Sequence, residues 1–211
     1  MKIRMSYVAM PKLRAAAFLR AKVRNPSSSI TLLKGSAGVT LDGSFLGNMQ
    51  LPRVSPGQVF DLPLGVDPAI HVGYPKPSVH RSTQGVFAKE STQMYTRSVW
   101  LTNTKFTPVE LMVLDQVPVP EDERLRIDLT TPKGLNRESD AVRAGTAAKE
   151  GRSGATSLAE TNQSGTWGKA VGTLKKGGEV AWTVNLEKGH ACLLELEYRA
   201  KLPSTEKIVP A

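Results

Sequence analysis

The chain has 211 residues, 40% of them hydrophobic, and a formal net charge of +9 with a pI near 9.8. That size suits one domain of sandwich or barrel dimensions, or two small ones. No run of about 18 apolar residues occurs, so no membrane span is expected. The single cysteine, Cys192, excludes an intrachain disulfide and any cysteine-based metal site.

Ile3–Met10 alternates apolar and polar residues and reads as a strand. Leu13–Asn25 has an Ala-rich start that suits a helix, but the alternation from Phe18 to Arg24 favours a strand with one charged face. Asn25-Pro26 and three serines make a turn. Ile30–Leu33 is a short apolar run. Val39–Leu41 and Ser44–Leu46 flank Asp42-Gly43, the strongest hairpin signal in the chain, because a type I′ turn needs positive φ at both central residues. Val59–Leu64 and Ile70–Tyr74 follow, separated by Gly65-Val66-Asp67-Pro68. After Pro75-Lys76-Pro77 come two longer candidates, Val79–Lys89 and Thr92–Thr104. Thr107–Val117 is among the most apolar strands, and Leu125–Leu129 alternates cleanly.

The composition then shifts. Residues 133–178 are rich in Gly, Ala, Ser, Thr and charged side chains. Asn136–Thr166 is expected to be a disordered insert, since it buries too little apolar surface to offset its ordering entropy. Ser139–Lys149 suits at most a marginal helix. Order resumes near Trp167. Glu179–Leu186 and His190–Leu202 are strong strands, and 204–211 is a frayed tail. Short strands at regular spacing predict an all-β fold, an antiparallel β-sandwich of immunoglobulin-like or related type, with a β-barrel as the alternative. The last two strands must join the core of the first, so residues 1–203 are expected to form one domain, with the insert as an excursion from it.

No catalytic residue can be assigned. The patterns GxxxxGK[ST] and GxSxG are absent. His71, His80 and His190 have no metal-ligand spacing; a site would need them to meet by folding, with Asp67 or Asp115. Asp42, Asp61, Asp67, Glu110 and Asp115 are candidates for paired carboxylates by residue type only. Asp42 is better explained by its hairpin, and Asp67 by a turn or cap before Pro68. No cofactor or metal site is expected. Trp100, Trp167 and Trp182, with Tyr95 and Tyr198, suit core packing better than an aromatic binding surface. Tyr95 to Trp100, with Arg97 between them, is the nearest approach to a basic–aromatic nucleic-acid platform. Cys192, in ACLLELEY, reads as a core residue rather than a reactive thiol.

Four phrases stand out together: AFLRAKVRNPSSSITLLKGSAGVTLDGSFLG, FDLPLGVDPAI, TRSVWLTNTKFTPVELMVLDQVPVPED and GEVAWTVNLEKGHACLLELEYRAKLP. As a set they resemble the C-terminal domain of unknown function of mucoidy-inhibitor-A-like proteins, in the form found in filamentous fungi. The resemblance covers about Ser6–Leu135 and Trp167–Pro203. It implies an N-terminal domain and a coiled-coil segment before this region, and, from the family name, a link to exopolysaccharide overproduction in bacteria. It implies no reaction and supplies no catalytic residues.

These readings point to a non-catalytic binding or assembly module of a larger multidomain protein, with a protein partner or self-association, and to strand addition as one mode. Two alternatives stand beside it: a hydrolase acting on polysaccharide or peptide, and a binder of polyanion or nucleic acid through the basic surface. One cysteine and an N-terminus without an uninterrupted apolar centre point to an intracellular setting.

Overall fold

A computed structural model describes residues 3–41, 43–84, 90–120, 122, 124–148 and 167–203. No α-helix occurs among the described residues. The strands are β1 (Ile3–Met10), β2 (Arg14–Arg24), β3 (Gly35–Leu41), β4 (Ser44–Leu51), β5 (Val59–Val66), β6 (Ile70–Gly73), β7 (Ser78–Gln84) and β8 (Glu90–Asn103). They continue as β9 (Val109–Gln116), β10 (Arg126–Thr131), β11 (Ala141–Ala144), β12 (Thr146–Ala148), β13 (Gly168–Leu174), β14 (Glu179–Leu186) and β15 (Ala191–Pro203).

Two sheets make the sandwich. The first runs β11-β13-β14-β9-β1-β2-β5. The second is built on the long pair β8–β15, with β6 and β7 on the free side of β8 and β10 and β12 on the free side of β15. Neither closes into a barrel, so the barrel alternative is not what forms. Pairing is antiparallel except between β1 and β9, which run parallel with Tyr7 beside Leu111.

Period-two alternation places the core. β15 turns Cys192, Leu194, Leu196, Tyr198 and Ala200 inward, and β14 turns Val180, Trp182, Val184 and Leu186 inward. Each large side chain so buried contributes about 1.5–3 kcal/mol relative to exposure. The hairpin at Gly43 forms as the sequence implies, with Gly43 at φ 81°; Asp42 lies outside the described residues. Leu13–Asn25 resolves as strand rather than helix. Ile30–Leu33 makes no strand, only the isolated bridge of Leu32 with Val54.

The first part of the segment expected to be disordered carries two short strands. β11 extends the first sheet beside β13, and β12 joins the second beside β15, so no helix forms at residues 141–148. Residues 149–166 and the tail 204–211 lie outside the described residues. Gly145 is the point at which the chain leaves one sheet for the other. Its φ is +82°, and a Cβ there would sit 3.0 Å from the Trp167 ring and 3.1 Å from Leu194. The left-handed conformation and the close approach together call for glycine at this corner.

β3 and β4 pair only with each other and form an arm inserted between β2 and β5. A two-stranded hairpin is marginal alone, and Asn25 ties its neck. The buried Asn25 side-chain amide donates to the carbonyls of Ile30 (2.9 Å), Val54 (3.3 Å) and Ser55 (3.3 Å).

Candidate functional site

Sequence candidates must first be separated from structural polar groups. Asp115 ends the inward row of β9, and Arg97 points inward from β8 on the facing sheet. Arg97 Nη1 donates to Asp115 Oδ1 at 2.9 Å, with side-chain exposures of 12% and 0%. Asp115 also accepts from the Tyr74 hydroxyl (2.9 Å) and the Gln116 amide (2.7 Å). Arg97 donates further to the Gln116 carbonyl and the Tyr198 hydroxyl. Tyr198 stacks on Tyr95, ring centroids 5.0 Å apart. Burial, then the Asp115 charge, pushes the Tyr74 hydroxyl up to about 12. This is a cross-sheet tie: every carboxylate oxygen is already occupied, leaving none for a substrate.

At the other end, Asp67 from the β5–β6 turn accepts from Tyr7 Oη (2.8 Å) and Lys105 Nζ (2.6 Å), and Lys105 also donates to Tyr7 Oη (2.8 Å). The Ala69 amide donates to the other Asp67 oxygen. Burial alone would raise the Asp67 carboxyl. The bonds from Lys105, Ala69 and Tyr7 outweigh it and hold the group below its ordinary range. A depressed carboxyl stabilises the fold above its unfolded-state pKa, and that contribution is lost as pH falls through the folded value. The thermal stability gap between wild type and Asp67→Asn is therefore expected near neutrality and should close in acid. A gap that persists unchanged below the ordinary carboxylate range contradicts this pairing.

The remaining candidates do not converge. His71 lies opposite Thr102 and His80 opposite Met94, eight residues apart along β8, which is about 26 Å. His190 sits in the β14–β15 turn, where its carbonyl accepts from the Asn103 amide. Among the described residues no group of three or more His, Cys, Asp or Glu is placed to hold a metal. Asp61 on β5 and Glu110 on β9 share the outer face of the first sheet but are three strand spacings apart, about 14 Å. Glycosidic carboxylate pairs sit within about 5–9.5 Å. Trp167 and Trp182 are core residues, and Trp100 is partly exposed on the outer face of the second sheet. Cys192 is fully buried, and burial pushes its thiol up to about 12. A thiol-disulfide reagent is expected to leave the native chain unlabelled and to modify Cys192 only after denaturation; rapid native labelling contradicts the placement.

What the candidate residues missed is the outer face of the first sheet. One row crosses six strands there: Val66 (β5), Phe18 (β2), Val8 (β1), Met112 (β9), Thr183 (β14) and Val171 (β13). It is apolar at every position but Thr183. Met10 and Leu114 extend the band along the strands. Val66, Met10 and Val171 are exposed, and Val8, Phe18, Met112 and Leu114 are half-buried. Cations surround it: Arg14, whose guanidinium lies 5.7 Å from the Phe18 ring centroid, Arg20, Lys22, Arg143 and Lys169. An open groove of about 590 Å³ borders the band, lined in part by Glu110, Arg143 and Lys169. The signal was present in β9, which reads VELMVLDQ: near-continuous apolar character marks a strand covered on both faces.

A family model described as Domain of unknown function (DUF4139) matches residues 12–204. Protein F37C4.5 of Caenorhabditis elegans is 30% identical over 139 residues, which is 66% of this chain and 25% of that protein. The chain thus matches about a quarter of that curated relative's length. No solved structure matches.

Proposed function

The chain belongs to the DUF4139 family, and from that premise we propose that it is a non-catalytic binding or assembly module working within a larger protein. One observation carries the reading: the carboxylates of the two polar clusters are engaged within the fold, whereas an apolar band stands on an outer sheet face where a sandwich ordinarily presents polar residues. The closer placement, as a C-terminal domain of the mucoidy-inhibitor-A-like type in its fungal form, is part of the proposal. It is supported by the four sequence phrases, and a larger parent protein by the greater length of the nematode relative.

The test is retention of a stoichiometric partner by this chain and by its parent protein, with parallel screens against polysaccharide and peptide substrates. The expected result is a partner kept by the chain alone and no turnover. Turnover abolished by Asp67→Asn or Lys105→Met would overturn the reading, because it would make the Tyr7–Asp67–Lys105 cluster catalytic.

A further inference from the structure

We propose that the outer face of the seven-stranded sheet is the docking surface for an acidic amphipathic helix of a protein partner. The inference rests on the binding-module reading and adds the location and the chemistry of the occupant.

Three features select that occupant. First, the apolar groups lie on a sheet face rather than an edge. A strand partner pairs with an edge, whereas the element that covers a sheet face as a further layer is a helix or another sheet. The row from Val66 to Val171 spans five strand spacings, about 24 Å, and a helix of roughly 16 residues is that long. Second, the rim is cationic. Arg20, Lys22, Arg143 and Lys169 have no ion-pair partner among the described residues, and Arg14 rests over Phe18. Arg20 Nε is buried without a hydrogen-bond acceptor. Against these stand Asp61, Glu110, Glu179 and, at the groove, Glu187; Glu110 and Glu179 are already paired, with Arg4 and Lys175. Third, the same rim disfavours a second copy of this chain, since docking face to face would set cation against cation.

Phe18, Val8 and Met112 are then the apolar anchors. Register places Arg20, Lys22 and Lys169 on one side of the row, Arg14 on the other, and Arg143 at its end beside Val171, and these receive carboxylates from the helix. A fork-shaped guanidinium suits a carboxylate better than an ammonium does, so Arg20 and Arg143 matter more than the lysines.

The test uses the 211-residue chain with synthetic helical peptides. One carries leucines on one face and glutamates on its flanks, a second replaces the glutamates by lysines, and a third replaces the leucines by serines. Only the first is expected to bind. Phe18→Glu and Met112→Glu should each weaken it about tenfold or more, the loss of one large apolar contact. Arg20→Gln should weaken it less and flatten its salt dependence. Equal binding of the serine peptide, or full competition by a simple polyanion, would overturn the proposal in favour of polyanion binding. Dimerisation of the free chain that Phe18→Glu abolishes would assign the face to a second copy. Slow hydroxyl-radical oxidation of Met10 and Met112 in the free chain would assign it to one of the chain's own segments. If no acidic peptide binds while a captured partner is still retained, the face is wrong and the binding-module reading stands. Turnover by the chain would overturn both.

Discussion

Replacing Asp115 by alanine is expected to destabilise the fold by about 3–5 kcal/mol. For a chain of this size that corresponds to a fall in melting temperature of roughly 6–20 °C. The reason is asymmetry. The favourable part of a buried ion pair is largely offset by the cost of taking both charges out of water. Removing one partner leaves the Arg97 guanidinium, 12% exposed, without its carboxylate. The Tyr74 hydroxyl loses its acceptor in the same step. The double variant Arg97→Met/Asp115→Leu should recover much of the loss, because it removes both charges together. Denaturant unfolding of the three variants measures this directly. A single Asp115→Ala cost below about 1 kcal/mol, in the range of an exposed pair, would mean that the tie is solvated and does not couple the sheets.

The second large effect is expected at Gly168, the first residue of β13. Its φ is +120°, and a Cβ there would lie 1.9 Å from the Asn185 carbonyl oxygen. That oxygen is backbone, fixed by the pairing of β13 with β14, so it cannot swing aside. Gly168→Ala combines backbone strain of about 1–3 kcal/mol with a forced separation of the two strands. Loss of cooperative folding is the expected result, read by thermal and denaturant unfolding. Gly35→Ala is the control: nothing lies within 4 Å of its added carbon, and its expected effect is within about 0.5 kcal/mol. Equal behaviour of the two variants would mean that β13 does not pair with β14 as described.

Gly168 also shows why parts of the fold were hidden in the sequence. β1, β2, β9, β14 and β15 were legible because alternation or continuous apolar character survives in them, and the hairpin around Gly43 was legible from its turn chemistry. β13 was not. Its core positions are small, Ala170 and Gly172, because the Trp182 indole fills the space: a Cβ on Gly172 would sit 3.2 Å from that ring. A strand that supplies the hole rather than the knob carries no hydrophobic signature. The same applies to the β11–β12 corner, where Ala144 and Gly145 resemble low-complexity sequence but pack against the core.

The polar clusters were half legible. Asp67 was expected in a turn, and it does accept the Ala69 amide there. Its second role, toward Tyr7 and Lys105, joins three distant segments and depends on strand order, which the sequence does not encode locally. Arg97 and Asp115 are 18 residues apart, on strands of different sheets, and no spacing rule connects them. The outer-face band is different in kind. Val8, Phe18 and Met112 each break the polar alternation of their own strand, but only the order β5-β2-β1-β9 aligns them in one row.

Two variants of the chain, compared for retention of a native partner, decide where the functional surface lies. Phe18→Glu/Met112→Glu alters the outer face of the seven-stranded sheet. Lys105→Met alters the polar cluster at the sandwich end. With both shown to be folded by their unfolding transitions, the face variant is expected to lose the partner and the cluster variant to keep it. Retention by the face variant, with loss in the Lys105 variant, would contradict this and place the functional surface at the Tyr7–Asp67–Lys105 end.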